Sequence, residues 1–175
     1  MITLYADFDK PISQKYYDFL INQLQIHQLK CSCGLAGCLT IHGYYKRYVK
    51  GVDTPVLLRV LRLRCSSCGK THAILLSTMV PYVQHTLEVH IDVIENVESD
   101  ASPDAVLEKY PSLDESSYRY IIRKYISHWK QRLESAAIEM QYSLDLVRQC
   151  FQHYSKQFMQ IKCTSNRLFI TNHIA

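Results

Sequence analysis

Five of the seven cysteines fall in two short groups, Cys31-Ser32-Cys33-Gly34 with Cys38, and Cys65-Ser66-Ser67-Cys68-Gly69. Thiolates are soft ligands, and two local groups joined by a hairpin can bring four of them to the corners of a tetrahedron, the arrangement zinc takes in structural sites. In Cys65-x2-Cys68-Gly the glycine can adopt the left-handed conformation that a turn around a metal needs. The first group is less regular, because Cys33-x4-Cys38 has ordinary spacing while Cys31-x-Cys33 is tight. Cys31, Cys33, Cys38, Cys65 and Cys68 therefore compete for four places, and His42 stands close enough in sequence to substitute for one. The competing reading is a set of buried reduced thiols; a glycine after both Cys33 and Cys68 favours metal. Cys150 and Cys163 stand alone and are expected in core or surface. In a reducing compartment, clustered cysteines are better explained by metal than by disulfides.

The elements that would position this cluster follow from periodicity. Tyr16, Phe19, Leu20, Gln23, Leu24 and His27 recur at helical steps after Pro11, which predicts a packing helix within residues 1–30. Leu39 to Tyr48 and Pro55 to Arg64 read as two strands around Gly51-Val52-Asp53-Thr54, a ribbon with one basic face, and Thr71 to Pro81 reads as an apolar segment. From Thr86 the pattern turns helical, with Leu87, Ile91, Ile94 and Val97 on one side. Ser102-Pro103-Asp104 is a helix start, Pro111-Ser112 a break and Leu113-Asp114 a second start, giving helix, turn, helix. The last of these is expected to run far, since Tyr118, Ile122, Tyr125, Trp129 and Leu133 share a face.

The expected fold class is α+β: a small zinc-ribbon β-hairpin domain over residues 31–85, then a helical, helix-turn-helix-like domain over 86–150. Residues 1–30 form the packing helix and 151–175 a tail without clear signal. So small a ribbon is expected to depend on its metal for lack of apolar core.

Charge is zoned rather than extreme. The formal net charge is only +4. From Tyr44 to Lys70 bases dominate, from Glu88 to Glu115 acids dominate, and bases return from Arg119. Tyr44, Tyr45, Lys46, Arg47 and Lys50 interleave rings with cations, and Arg59, Arg62 and Arg64 follow on the second strand. Such a surface can neutralise phosphates and stack on bases. In the helical part Arg119, Arg123 and Lys130 are expected on one stripe of a groove-entering helix, with Lys124 beside them. A solvated strand face and an ordinary helical bundle are the plain alternatives for these two surfaces.

The runs Cys38-Leu39-Thr40-Ile41-His42-Gly43-Tyr44-Tyr45-Lys46-Arg47, Leu61 through Ala73, and Val80-Pro81-Tyr82 resemble an uncharacterised bacterial zinc-ribbon family. That family is similar in turn to the N-terminal zinc-binding segment of certain insertion-sequence transposases. The resemblance covers about residues 31 to 85. It implies that ribbon and helix-turn-helix recognise the terminal DNA of a mobile element, while a separate acidic-triad domain cuts strands. Two departures matter: Cys31-x-Cys33 is compressed, and the chain leaves no length for the cutting domain.

The expected function is therefore zinc-dependent binding of duplex DNA without catalysis, associated with a mobile element or its regulation. RNA, or a protein partner in a nucleoprotein complex for which this chain is an accessory subunit, is the alternative. Oligomeric state is left open by the sequence. No phosphate loop, nucleophile elbow or His-Glu-x-x-His is present, and no His-x-Glu precedes a cysteine pair as in zinc deaminases, although His42 and His72 lie near the cysteines. The first residues lack a signal-peptide pattern and no apolar run approaches a membrane span, so a cytoplasmic location without membrane association is expected.

Overall fold

The computed structural model describes residues 1–51 and 54–161, together with the backbone of residues 169 and 170. Three strands form the ribbon: β2 (Leu39–Val49), β3 (Val56–Cys65) and β4 (Thr71–Leu76), each antiparallel to the next. Alternation places Leu58 and Val60 on one face of β3 and Leu61 and Leu63 on the other, and all four are buried. A strand covered on both faces over different parts of its length explains the imperfect alternation of VLLRVLRLRC.

The sheet does not end at the ribbon. A three-residue strand at the start of the chain, β1 (Ile2–Leu4), pairs parallel with β4, and β5 (Phe169–Ile170) pairs parallel with β1, giving the order β2-β3-β4-β1-β5. Ile2 and Leu4 are fully buried, as are Ile74 and Leu76 in register with them. These residues and those of β3 give the ribbon a substantial core, against the expectation that it lacks one. The fold is α+β, with the ribbon strands β2 to β4 ahead of most of the helices and β5 after them.

Helix α1 (Gln14–Asn22) is the packing helix, capped by Ser13, whose hydroxyl accepts from Tyr16 N. Its inward residues are Tyr17 and Leu20, and Phe19, expected on that face, is exposed. The Tyr17 hydroxyl donates to Ile74 O and accepts from Leu61 N, both at 2.9 Å, so one side chain ties α1 to β4 and β3.

A second core begins at Val80 and is built on α2 (Leu87–Glu98). Around it lie α3 (Asp104–Lys109), α4 (Glu115–His128), α5 (Lys130–Ser135) and α6 (Leu144–Tyr154). The long final helix expected from the sequence is interrupted at Trp129, with φ −123° and ψ −35°. The bend puts the indole fully inside the core, edge-on to Tyr154 and Phe158, and this burial outweighs helical continuity. On α4 the buried residues are Tyr118, Ile121 and Tyr125, with Ile122 only half-buried.

The stretch after 150, expected as a tail, begins inside α6 and continues into buried Gln157, Phe158, Met159 and Gln160. Gln157 accepts from Thr3 Oγ1 at 3.0 Å and donates to Met79 O at 2.7 Å, joining the two cores. Cys150 is a core residue of α6, and Cys163 lies outside the described residues. No helix among the described residues is long and apolar enough to cross a membrane.

Candidate metal centre and basic clefts

The loop before β2 and the turn between β3 and β4 face each other because Leu39 pairs with Cys65. Their thiols meet there. Those of Cys31, Cys33, Cys65 and Cys68 lie within 4.8 Å of one another, and together they could hold a metal ion. Cys31 and Cys68 Sγ are 3.6 Å apart, Cys33 and Cys65 Sγ 3.8 Å. Gly34 and Gly69 have φ of +93° and +70°, so both post-cysteine glycines stand where only glycine turns without strain.

Cys38 is outside this group. Its thiol donates to Leu35 O at 3.2 Å, while its carbonyl accepts from both the amide and hydroxyl of Ser66. It clips the two loops together through its backbone. His42, next to a bulge between Ile41 and Gly43, is exposed and also outside the group. The histidine at the site is His72, whose Nε2 lies 3.3 Å from Cys31 Sγ and whose Nδ1 lies 3.2 Å from the Met1 nitrogen. Its signal in the sequence was position alone, four residues after Cys68.

The thiols are electrostatically unequal. The Cys68 amide, donating to Cys65 Sγ at 3.3 Å, is the main reason that Cys65 is held down to about 6. For Cys31, burial opposes ionisation, but the Cys33 amide and the neighbouring thiols outweigh it and lower its pKa. At Cys68 the Lys70 amide favours the thiolate, yet burial and the surrounding thiols push it up to about 11. Burial, then Cys65, drives Cys38 up to about 12. Four thiolates so close would repel one another, and a cation among them relieves that without protonation. Burial, then the terminal amine and Lys70, pulls His72 down to about 4, which leaves a neutral ring to donate to Cys31.

The cations of the ribbon are divided between faces, in contrast to the single basic face expected. Register puts Lys46 opposite Arg59 on one side, where the Arg59 guanidinium covers the exposed Tyr44 ring at 4.8 Å. Arg47, Arg62 and Arg64 fall on the other side. There, Tyr45, Arg47 and Arg62 line a cleft of about 860 Å³ with Lys70, Thr71, Leu75 and Tyr82, while Arg64 stays exposed outside it. Arg47 is not free to meet a ligand charge: it donates to Val80 O at 2.6 Å and Val83 O at 2.5 Å.

A second cleft, of about 420 Å³, lies across the same loop and brings Lys50 together with Ser116, Ser117, Tyr120 and Arg123 of α4. Val83 and Gln84 line both clefts. The joint is backbone: Lys50 N donates to Gln84 O and Thr86 N to Lys50 O, both at 2.9 Å. Arg123 and Lys124 both lie near the Tyr120 ring, at 5.7 and 5.5 Å.

The expected stripe of Arg119, Arg123 and Lys130 is not formed. The break at Trp129 puts Lys130 at the start of α5, where Glu98 holds it at 2.8 Å, and Arg119 pairs with Glu115 at 2.8 Å on an exposed turn. Reasoning from sequence missed Lys70, Tyr82, Gln84 and Tyr120 as cleft residues, because the 82–84 loop that gathers them carries no periodic signal.

The family model described as a domain of unknown function, DUF6431, matches residues 30–120, slightly more than half of the 175 residues. The chain belongs to the DUF6431 family. The part matched contains all the cysteines of the candidate metal centre, the 82–84 loop and the first turns of α4, while Met1 of the first cleft and Ile121 and Arg123 of the second lie outside it. No curated protein and no solved structure matches the chain.

Proposed function

We propose that this protein is a zinc-stabilised DNA-binding module without catalytic activity of its own. The observation that carries the reading is the second cleft, in which Lys50 from the end of the ribbon and Arg123 with Tyr120 from α4 face one space. Two elements that each bear bases thereby present a single surface, as a module gripping phosphates across a groove requires. The lining residues of this cleft include no acid. The preceding α3 and the Tyr110–Asp114 connection complete a helix-turn-helix-like arrangement in which α4 takes the groove-facing role.

The zinc assignment rests on donor type and spacing. Tetrahedral bonds of about 2.3 Å to sulfur set neighbouring sulfurs about 3.8 Å apart. The pairs at 3.6 and 3.8 Å agree with that edge. Four thiolates saturate such an ion, which suits a structural role, and His72 offsets their charge by a hydrogen bond to Cys31. The resemblance to the zinc-binding segment of insertion-sequence transposases supports terminal DNA of a mobile element as the target.

The test is a mobility-shift titration of a duplex between 50 and 200 mM salt. Affinity should fall steeply with salt, and the double variant Lys50→Ala/Arg123→Ala should reduce the log-log slope by about two. Affinity absent, or insensitive to salt, overturns the reading.

A further inference from the structure

The first cleft contains features that backbone contacts to a duplex do not use. Its volume of about 860 Å³ is in the range of small-molecule sites. None of its lining residues is an aspartate or glutamate. Among the described residues Arg62 and Lys70 form no ion pair with an acid, and the one hydrogen bond that either side chain makes is a long one of 3.5 Å donated by Arg62 to Thr71 Oγ1. Two cations without a carboxylate partner at a concave surface attract anions. The floor, in contrast, is apolar, formed by Ala73 and Leu75.

At the rim stands Tyr82, 59% exposed and at φ +68°, a conformation that costs a non-glycine residue strain. Arg47 holds the carbonyls of Val80 and Val83 and so fixes the backbone around Tyr82, while Val83 and Gln84 form the ridge between the two clefts. A simple inorganic anion would leave the apolar floor unused, and an uncharged apolar ligand would strand the cations. A ligand with a flat ring and a phosphate satisfies both.

We propose that this cleft receives a single unstacked nucleotide, its base against Tyr82 and the apolar floor and its phosphate at Arg62 and Lys70. A paired, stacked base cannot enter such a space. Stacking on tyrosine together with a neighbouring cation is the chemistry by which unpaired bases are held. The nucleotide can come from a strand end that crosses the ridge out of the second cleft, an arm resting on the DNA-binding reading, or it can be a free mononucleotide.

The metal-bound protein is titrated by fluorescence anisotropy with a blunt duplex and with the same duplex carrying a three-nucleotide overhang, and by calorimetry with adenosine monophosphate and inorganic phosphate. The overhang should bind about tenfold more tightly than the blunt duplex. Tyr82→Ala should remove that gain while changing blunt-duplex affinity less than about twofold, and Tyr82→Phe should retain it. Lys70→Ala, at an exposed position, provides a second variant whose folding is not at issue and should also diminish the gain. Blunt and overhang duplexes bound equally, with no adenosine monophosphate bound, overturn the proposal and leave the DNA-binding reading standing. If no duplex binds, that reading fails, and saturable binding of adenosine monophosphate lost in Tyr82→Ala supports the cleft as a mononucleotide site. Binding of inorganic phosphate as tight as that of the nucleotide overturns the proposal.

Discussion

The Sγ atoms of Cys31 and Cys68 stand 3.6 Å apart, although 37 positions separate the two residues in the chain. A cross-link closing a loop of that length is worth ~4 kcal/mol through the entropy of the unfolded chain. Cys31→Ser and Cys65→Ser should therefore lose about one equivalent of metal, measured by plasma mass spectrometry, and lower Tm by about 10 °C. The sheet core should persist, because Leu58, Leu63, Ile74 and Leu76 are buried independently of the thiols, so far-UV circular dichroism at 20 °C should change little. Cys38→Ser should keep its metal; a metal-free Cys38→Ser protein would contradict the assignment of the four thiols.

Arg47 holds the loop between the clefts. Arg47→Ala removes two charge-assisted hydrogen bonds to Val80 O and Val83 O and should cost about 2–3 kcal/mol in urea unfolding. Arg47→Lys, with one ammonium in place of a planar fork, should recover less than half of it. A change below about 0.5 kcal/mol for Arg47→Ala would refute the pinning role.

Tyr17→Phe should cost about 1–3 kcal/mol with almost no change in shape, since it strips the buried Leu61 amide of its acceptor and Ile74 O of its donor. Amide exchange at Leu61 is the sensitive readout. Unaltered protection there would show that the hydroxyl is dispensable.

Stability should decline between pH 6.5 and pH 4 through His90. Only 1% exposed, this residue donates from Nδ1 to Thr86 O at 2.8 Å, and its Nε2 has no partner among the described residues. Burial is the main reason that its pKa falls from 6.5 to about 4. Between those values the unfolded chain binds the extra proton and the folded one does not, so unfolding is favoured as pH falls; stability is unaffected above pH 6.5 and the loss amounts to about 3 kcal/mol at pH 4. His85, lowered first by burial and then by Lys50, acts in the same direction. Urea midpoints from pH 7 to 4.5 for the wild type and His90→Gln isolate the effect: the two slopes should differ, and parallel slopes would exclude it.

The ribbon was legible because its signals are local. Two strand-forming runs, a glycine-containing turn and cysteines at both ends survive any tertiary context, and β2 and β3 lie within a residue or two of the expected spans. The division of the cations was also written in the sequence: Arg59 and Arg62 are three positions apart, which in a strand means opposite faces. Features set by distant partners were not legible. Three residues, Ile2–Leu4, carry too little pattern to reveal a strand whose partner is Ile74–Leu76, and nothing local tells Trp129 to leave the helix for a pocket formed by Tyr154 and Phe158. The clefts depend on a loop at residues 82–84 whose conformation is imposed by Arg47, far away in the chain.

The position of β1 between β4 and β5 has a consequence for how the molecule is made. A ribosome delivers Ile2–Leu4 first, yet its neighbour β4 ends only at Leu76, and the glutamine that grips Thr3 is residue 157. At roughly 5–20 residues per second the nascent strand waits several seconds for the first partner and about twice as long for the second. Capture of an ion by Cys31 to Cys68 needs none of this, so the ribbon can mature while the slot beside β4 is still vacant. The newborn chain thus passes through a stage at which a foreign strand could enter that slot, until β1 pairs with β4 and Gln157 later ties Thr3 to Met79.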